Sequence, residues 1–355
     1  MKTVISYPIL DDYHYPVSYL LENTLKIKVL KPVKITSKTV LLGIKNSPDF
    51  VCMPFKYTLG SLIESLDRGA NILMQAGGGC RYGYYAELQE EILKDLGYNF
   101  VLINFNSGGN YNLKNLYKLI KTIDKSFSLI RFFKYFLITI KMVKYMDKID
   151  DYIRRNIGFE VTKNSFINLK KEMLKDFMKV KSLIKLRILY KKHFKKFKEL
   201  EVNKPKRPLK VGIIGELYTI MEPYANYFLE MELAKMNIEI KRFTNVYYLL
   251  FLKKKKVKRN IKYVKEYVKY KMGADATDNV IRAKYLCEKK YDGIIHIKSS
   301  FCTPEIAAMP VINKVCRDYN VPIMYFSFDS NTSEVGIKTR LEAFYDMLEM
   351  RKNND

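Results

Sequence analysis

Three cysteines stand where a thiol can do chemistry. Cys80 lies in Gly77-Gly78-Gly79-Cys80-Arg81-Tyr82-Gly83-Tyr84-Tyr85. This glycine-rich turn separates an apolar run, Asn71-Ile72-Leu73-Met74-Gln75, that reads as a short buried strand from Ala86–Leu93, which has helical spacing. Glycines let a backbone come close to something bulky, and a helix start offers unpaired N–H groups and a positive dipole end to an anion. A thiolate held there has a depressed pKa and serves as ligand or nucleophile. Cys52, in Phe50-Val51-Cys52-Met53-Pro54-Phe55-Lys56, reads as the end of a strand handing over to a helix. Pro54 suits a first helical turn, and Leu59, Leu62, Ile63 and Leu66 share one face beyond it. Cys302, in Ser299-Ser300-Phe301-Cys302-Thr303-Pro304-Glu305, closes a β-rich run and precedes a helix with an acceptable cap and a first-turn acid.

Ligands of open parallel sheets bind beyond the carboxyl ends of the strands. Cys52, Cys80 and Cys302 are therefore expected to converge in a cleft between two domains and to hold a metal centre. Thiolates are the usual ligands of iron–sulfur clusters, and three of them leave one iron of a [4Fe–4S] cube open. Zinc held by the three cysteines, with His296 as fourth ligand, is the competing metal reading, although His296 lies inside an apolar strand and reads first as core. Cys287 and Cys316 fall on apolar helix faces and read as core. Lys56, Arg81, Glu216 and Glu305, all near helix starts, are the catalytic candidates, with a plain surface or helix-dipole role as the alternative.

The elements that must carry these residues alternate strand and helix, the pattern of parallel sheets covered by helices. The spacing predicts an α/β protein of two Rossmann- or flavodoxin-like parallel-sheet domains, residues 1–110 and 208–355, with the cluster cleft between them. From 111 to 207 glycine is scarce, and helix-spaced apolar and lysine residues predict a helical insertion that ends in a linker bracketed by Pro205 and Pro208. Leu209-Lys210-Val211-Gly212-Ile213-Ile214-Gly215-Glu216 opens the last domain, the turn after it continues through Leu217–Pro223, a helix follows to about Lys235, and a basic helical stretch occupies about 246–272.

A chain of 355 residues with 48% hydrophobic content can fill two cores. Five cysteines and a first segment without a signal-peptide pattern argue against a disulfide framework and for the cytoplasm. The most apolar stretch, Phe127–Tyr145, is broken by Arg131, Lys134, Lys141 and Lys144, so no membrane partnership is expected. The net charge of +26 favours anionic partners. Its lysines, as in 191–198 and 253–259, alternate with apolar residues at helical spacing and read as solvated faces rather than a nucleic-acid groove.

At these residues the chain resembles the 2-hydroxyacyl-CoA dehydratase family, with 2-hydroxyglutaryl-CoA dehydratase as its familiar member, and within it the CoA-protein activase-related proteins. The resemblance rests on 47–56, 77–85 and 299–305, on Gly212-Ile213-Ile214-Gly215-Glu216-Leu217-Tyr218-Thr219 and on 332–344. It implies that Cys52, Cys80 and Cys302 bind a [4Fe–4S] cluster in an anaerobic, low-potential system. In such enzymes an ATP-hydrolysing activator with its own cluster injects an electron, and a ketyl radical then loses its α-hydroxyl, a lyase reaction on an acyl-CoA. The implied partners are that activator and a homologous subunit. The chain has no GxxxxGK[ST] loop of its own, which fits the electron-accepting role. A non-catalytic electron-transfer or accessory component, and a basic zinc or nucleic-acid-binding protein, stand as the alternatives.

Overall fold

The computed structural model describes residues 3–106 and 113–354. It contains two compact units, one of residues 1–142 and 181–183, the other of residues 143–180 and 184–355. Each is built on a four-stranded parallel sheet. The expected α/β class with parallel sheets is what the structure shows.

In the first unit β1 (Val4–Ser6), α1 (His14–Thr24), β2 (Lys28–Val29), α2 (Ser37–Lys45), α3 (Met53–Asp67), β3 (Ile72–Gly77), α4 (Tyr85–Asp95) and β4 (Val101–Asn106) come in that order. They are followed by α5 (Leu113–Ile123) and the start of α6 (Leu129–Asn156). The strand order is β2-β1-β3-β4. Ile5 and Leu73 are fully buried in the sheet, and Leu59, Leu62, Ile63 and Leu66 of α3 pack against it as their helical spacing predicts. The 110/111 boundary expected from sequence lies outside the described residues.

The sequence reading of Phe50–Lys56 as a strand end needs correction. Residues 46–52 are turn and bend, and the apolar run Val40–Gly43 before them belongs to helix α2. Thr36 and Thr39 form a reciprocal capping box that starts this helix, a signal stronger than its β-branched content. Helices α2 and α3 then approach to backbone contact. A Cβ on Gly43 would lie 1.9 Å from the Lys56 carbonyl oxygen, and one on Gly60 would lie 1.9 Å from that of Thr39. Thr39 also donates to Glu64 at 2.5 Å across the same crossing. The link carrying Cys52 is thus held between two helices locked at close range.

The second unit takes the rest of α6, then α7 (Ser165–Phe177), α8 (Leu183–Glu199) and β5 (Leu209–Gly215). After these come α9 (Leu217–Met221), α10 (Leu229–Lys235), β6 (Ile238–Arg242), α11 (Lys253–Asn260), α12 (Ala276–Glu288), β7 (Gly293–Ser299), α13 (Thr303–Asp318), β8 (Ile323–Phe328) and α14 (Glu334–Asn354). The order β6-β5-β7-β8 repeats, strand for strand, that of the first sheet. Cys287 and Cys316 lie in the core cluster between α12 and α13.

The turn expected through Leu217–Pro223 contains the short helix α9, and the helix expected after it begins only at Leu229. Tyr227 and Phe228 take left-handed φ of 54° and 57° after a 3-10 turn at Pro223–Asn226. Pro223, which has no N–H to donate, ends the preceding helix. The stretch 246–272 contains only one short regular helix, α11, flanked by a π turn and a 3-10 turn, because six of its eight residues are lysine or arginine and repel one another.

Ion pairs bind the helical segment to the sheet of the second unit. Arg154 of α6 donates to Glu230 of α10 at 2.8 Å, and Arg242 of β6 lies 2.8 Å from the other oxygen of Glu230. Asp150 of α6 pairs with Lys170 of α7 at 2.8 Å. Burial acts to raise the Glu230 carboxyl, but Arg154 and Arg242 outweigh it and hold the group below its usual range. No described helix is long and apolar enough to cross a membrane.

Candidate metal centre

Each cysteine singled out in the sequence occupies the cap position at the start of a helical segment. Cys52 caps α3, Cys80 caps the 3-10 turn Arg81–Tyr84, and Cys302 caps α13. Two of them share a further feature. In the order 2-1-3-4 the chain reverses direction across the sheet between the first and third strands, and ligands of such sheets bind beyond the carboxyl ends at this switch point. Cys80 follows β3, the third strand of the first sheet, and Cys302 follows β7, the third strand of the second. The two turns are therefore topologically equivalent.

In the first unit, Gly78 and Gly79 take φ of 147° and 83°, so the chain can turn sharply out of β3 and leave Cys80 exposed. The Cys80 Sγ accepts from Tyr82 N at 3.5 Å. The Cys52 thiol hydrogen-bonds the Tyr85 hydroxyl, five residues past Cys80. Tyr85 is buried, with its ring edge-on to Phe55 at 4.9 Å and tilted against Tyr82 at 4.6 Å. An amide chain fixes the backbone beneath. Gln75 of β3 donates to Gln89 of α4 at 2.7 Å, and Gln89 donates to the Phe55 carbonyl at 3.2 Å and the Thr58 hydroxyl at 2.7 Å in α3. Strand β3 and the helices after Cys52 and Cys80 are thereby bonded to one side chain. The structure brings the Cys52 and Cys80 turns together through Tyr82, Tyr85 and Gln89.

Cys302 belongs to the other unit, where it is 8% exposed. Three residues on, Glu305 is buried and accepts from two sides. His296 Nε2 lies 2.8 Å from its Oε2, and the Asn279 amide nitrogen lies 3.0 and 2.9 Å from its two oxygens. The same Asn279 nitrogen reaches the Gly215 carbonyl at 2.9 Å. Arg282 supports Asn279 at 3.3 Å and pairs with Asp278 at 2.7 Å. His296 is a core residue, as its strand setting suggests, but its Nδ1 has no hydrogen-bond partner.

Glu216 ends β5, beside the Cys302 turn, because its N–H bonds Ile297 O of β7 at 2.9 Å. Its carboxylate caps α9, accepting from Tyr218 N and Thr219 N at 2.8 Å and from the Thr219 hydroxyl at 2.6 Å. Burial nevertheless dominates those bonds and pushes the carboxyl up to about 7. The group can therefore exchange a proton near neutral pH. Lys56 is buried in α3 and reaches the Asp49 carbonyl at 3.4 Å, whereas Arg81 is exposed.

Two contributors escaped the sequence reading. Tyr85 offers no signal beyond its place after a glycine-rich turn. Lys298 does offer one, a lysine within the apolar run Ile294-Ile295-His296-Ile297. It is 5% exposed, and burial lowers its pKa, opposed by the negative charge of Cys302, Glu305 and Asp329.

Cap-position thiols suit a thiolate-bound metal centre, since helix N–H groups stabilise sulfur anions. One buried ammonium beside Cys302 adds to that preference. Cys52 and Cys80 in the first unit and Cys302 in the second each offer the donor type that iron–sulfur clusters use.

No curated protein matches the chain. Residues 228–348, from the end of the 3-10 turn to α14 and including Cys302 and Glu305, match the family model of 2-hydroxyglutaryl-CoA dehydratase, D-component. This match covers about a third of the chain, and over that part of its second unit the chain is similar to the 2-hydroxyacyl-CoA dehydratase family.

Proposed function

We propose that the protein is the cluster-bearing subunit of a low-potential electron-transfer system of the 2-hydroxyacyl-CoA dehydratase type. The observation that carries this reading is the equivalent placement of Cys80 and Cys302, each capping the helical segment after the third strand of a 2-1-3-4 sheet. Cys52, Cys80 and Cys302 would hold a [4Fe–4S] cluster. When bound, such a cluster supplies a one-electron carrier with an iron left open by the three-thiolate ligand set.

The chain's own residues have distinct tasks in this reading. Glu216, neutral or charged near pH 7, holds or releases a proton beside the Cys302 turn. The Lys298 ammonium offsets the negative charge that accumulates there. Tyr85 holds the Cys52 thiol in place. Arg81, exposed next to Cys80, carries the guanidinium that would contact an anionic group such as a coenzyme A phosphate. An ATP-hydrolysing activator protein supplies the electron, a homologous subunit completes the enzyme, and a 2-hydroxyacyl-CoA is the substrate that loses water.

Iron and acid-labile sulfide analysis, with electron paramagnetic resonance, on protein purified without oxygen tests the proposal. About four irons per chain are expected, in a [4Fe–4S] signature lost in Cys52→Ser, Cys80→Ser and Cys302→Ser. Zinc in place of iron that is lost in the same three cysteine variants, or a folded protein that takes up no iron on reconstitution, would overturn it.

A further inference from the structure

The lysine-rich stretch 191–198 reads in sequence as a solvated face, yet its His193 is fully buried. The imidazole Nε2 lies 3.0 Å from Asp176 Oδ2, and Nδ1 has no hydrogen-bond partner. Asp176 and Glu172 are four residues apart on α7, so both carboxylates face the helix α8 that carries His193. One ligand atom from each of Glu172, Asp176 and His193 lies within 4.8 Å of the others. The nitrogen comes from the interior, while the side chains of Asp176 and Glu172 are 31% and 51% exposed, so the open side faces water.

We infer that Glu172, Asp176 and His193 form a binding site for a single divalent transition ion of the zinc class, bridging α7 and α8. One imidazole nitrogen with two carboxylate oxygens suits zinc, cobalt or nickel, whereas calcium and magnesium favour oxygen donors throughout. Water completes the coordination on the exposed side. The Lys196 ammonium lies 2.7 Å from Glu172. It competes for the site, as does the Lys179 ammonium 3.8 Å from Asp176, but their side chains are 40% and 77% exposed and such pairs are of the weak surface kind. A divalent ion supplies two positive charges where an ammonium supplies one, and the lysines can swing into water. The site uses none of the cysteines and does not depend on the function proposed above.

Cobalt(II) titration of the intact protein, followed by visible absorption and calorimetry, tests the inference against Asp176→Asn, Glu172→Gln and Lys196→Met variants. The expected result is one ion per chain with d–d bands of nitrogen and oxygen ligation. Binding should weaken more than about tenfold in the Asp176 and Glu172 variants and strengthen in Lys196→Met, which removes a competitor. Zinc should raise the melting temperature of the intact protein and not that of Asp176→Asn. All three variants alter partly exposed positions, so the folded state survives the comparison. No cobalt or zinc binding, or binding equal in the intact protein and Asp176→Asn, would overturn the site and leave an adventitious ion only.

Discussion

His296 and Glu305 form a buried pair, Nε2 to Oε2 at 2.8 Å, three residues past the Cys302 cap of α13. Glu305 is the common acceptor for His296 and Asn279, and Asn279 also bonds Gly215 at the end of β5. The ends of β5 and β7 are thus held at one carboxylate. Glu305→Ala leaves buried His296 without its partner and Asn279 with only the Gly215 carbonyl, and is expected to destabilise the protein by about 2–4 kcal/mol, with Glu305→Gln costing less. Chemical denaturation of both variants checks this, and an unchanged midpoint for Glu305→Ala would show that the pair carries no stability.

Glu216 couples folding to pH. Its carboxyl rises from 4.5 to about 7 because burial favours the neutral acid. The folded state therefore binds this proton more tightly than the unfolded chain. That contribution is complete below about pH 4.5 and is lost as the pH rises through 7. Between pH 5 and pH 8 the protein should lose stability relative to Glu216→Gln, by up to about 3 kcal/mol. Denaturation curves for the two proteins that stay parallel across this range would refute the assignment.

The Glu230 pair behaves in the opposite sense. Arg154 and Arg242 hold its carboxyl below 4.5 despite burial. The stabilisation is present above the unfolded value and is lost as the pH falls through the folded one. Glu230→Ala, which leaves both guanidinium groups buried without their carboxylate, is expected to cost about 3–5 kcal/mol at neutral pH. A thermal melt at pH 7 compared with one at acid pH measures it, and the loss should shrink on acidification.

Close packing at the α2–α3 crossing predicts a steric effect. A Cβ at Gly60 would meet the Thr39 carbonyl oxygen at 1.9 Å, so the helices must separate to admit it. Gly60→Ala is expected to destabilise the first unit by several kcal/mol, far beyond the small gain that alanine gives an open helix. It should also increase the alkylation rate of Cys52, whose link spans the two helices. A melting temperature equal to or above that of the unaltered protein would contradict the crossing.

Gln89 offers the corresponding test for the thiol pair of the first unit. Gln89→Leu keeps the volume but removes the acceptor of Gln75 and the donor to Phe55 and Thr58. A loss of about 1–3 kcal/mol is expected from the unpaired groups. Amide hydrogen exchange should quicken in both β3 and the start of α3; faster exchange in only one would separate the two links.

Local pattern alone determined the parallel α/β elements, because alternating apolar runs and helix-spaced faces record which sides are buried. It also placed the three cysteines at turns that enter helices, since Pro54 and Pro304 suit a first helical turn and glycine suits the turn before Cys80; that they sit at the cap positions came from the structure. Tertiary structure decided what local pattern cannot carry. Val40–Gly43 is apolar enough for a strand; the Thr36–Thr39 capping box starts it as a helix, and the glycine contacts across α2 and α3 set how closely it packs. The 2-1-3-4 order of each sheet, which makes the Cys80 and Cys302 turns equivalent, depends on pairing between strands as distant as Ile5 and Ile72. The pairing of His296 with Glu305 and the enclosure of His193 within a lysine run were likewise set by packing, because burial is a property of the neighbours a residue meets and not of its own sequence window.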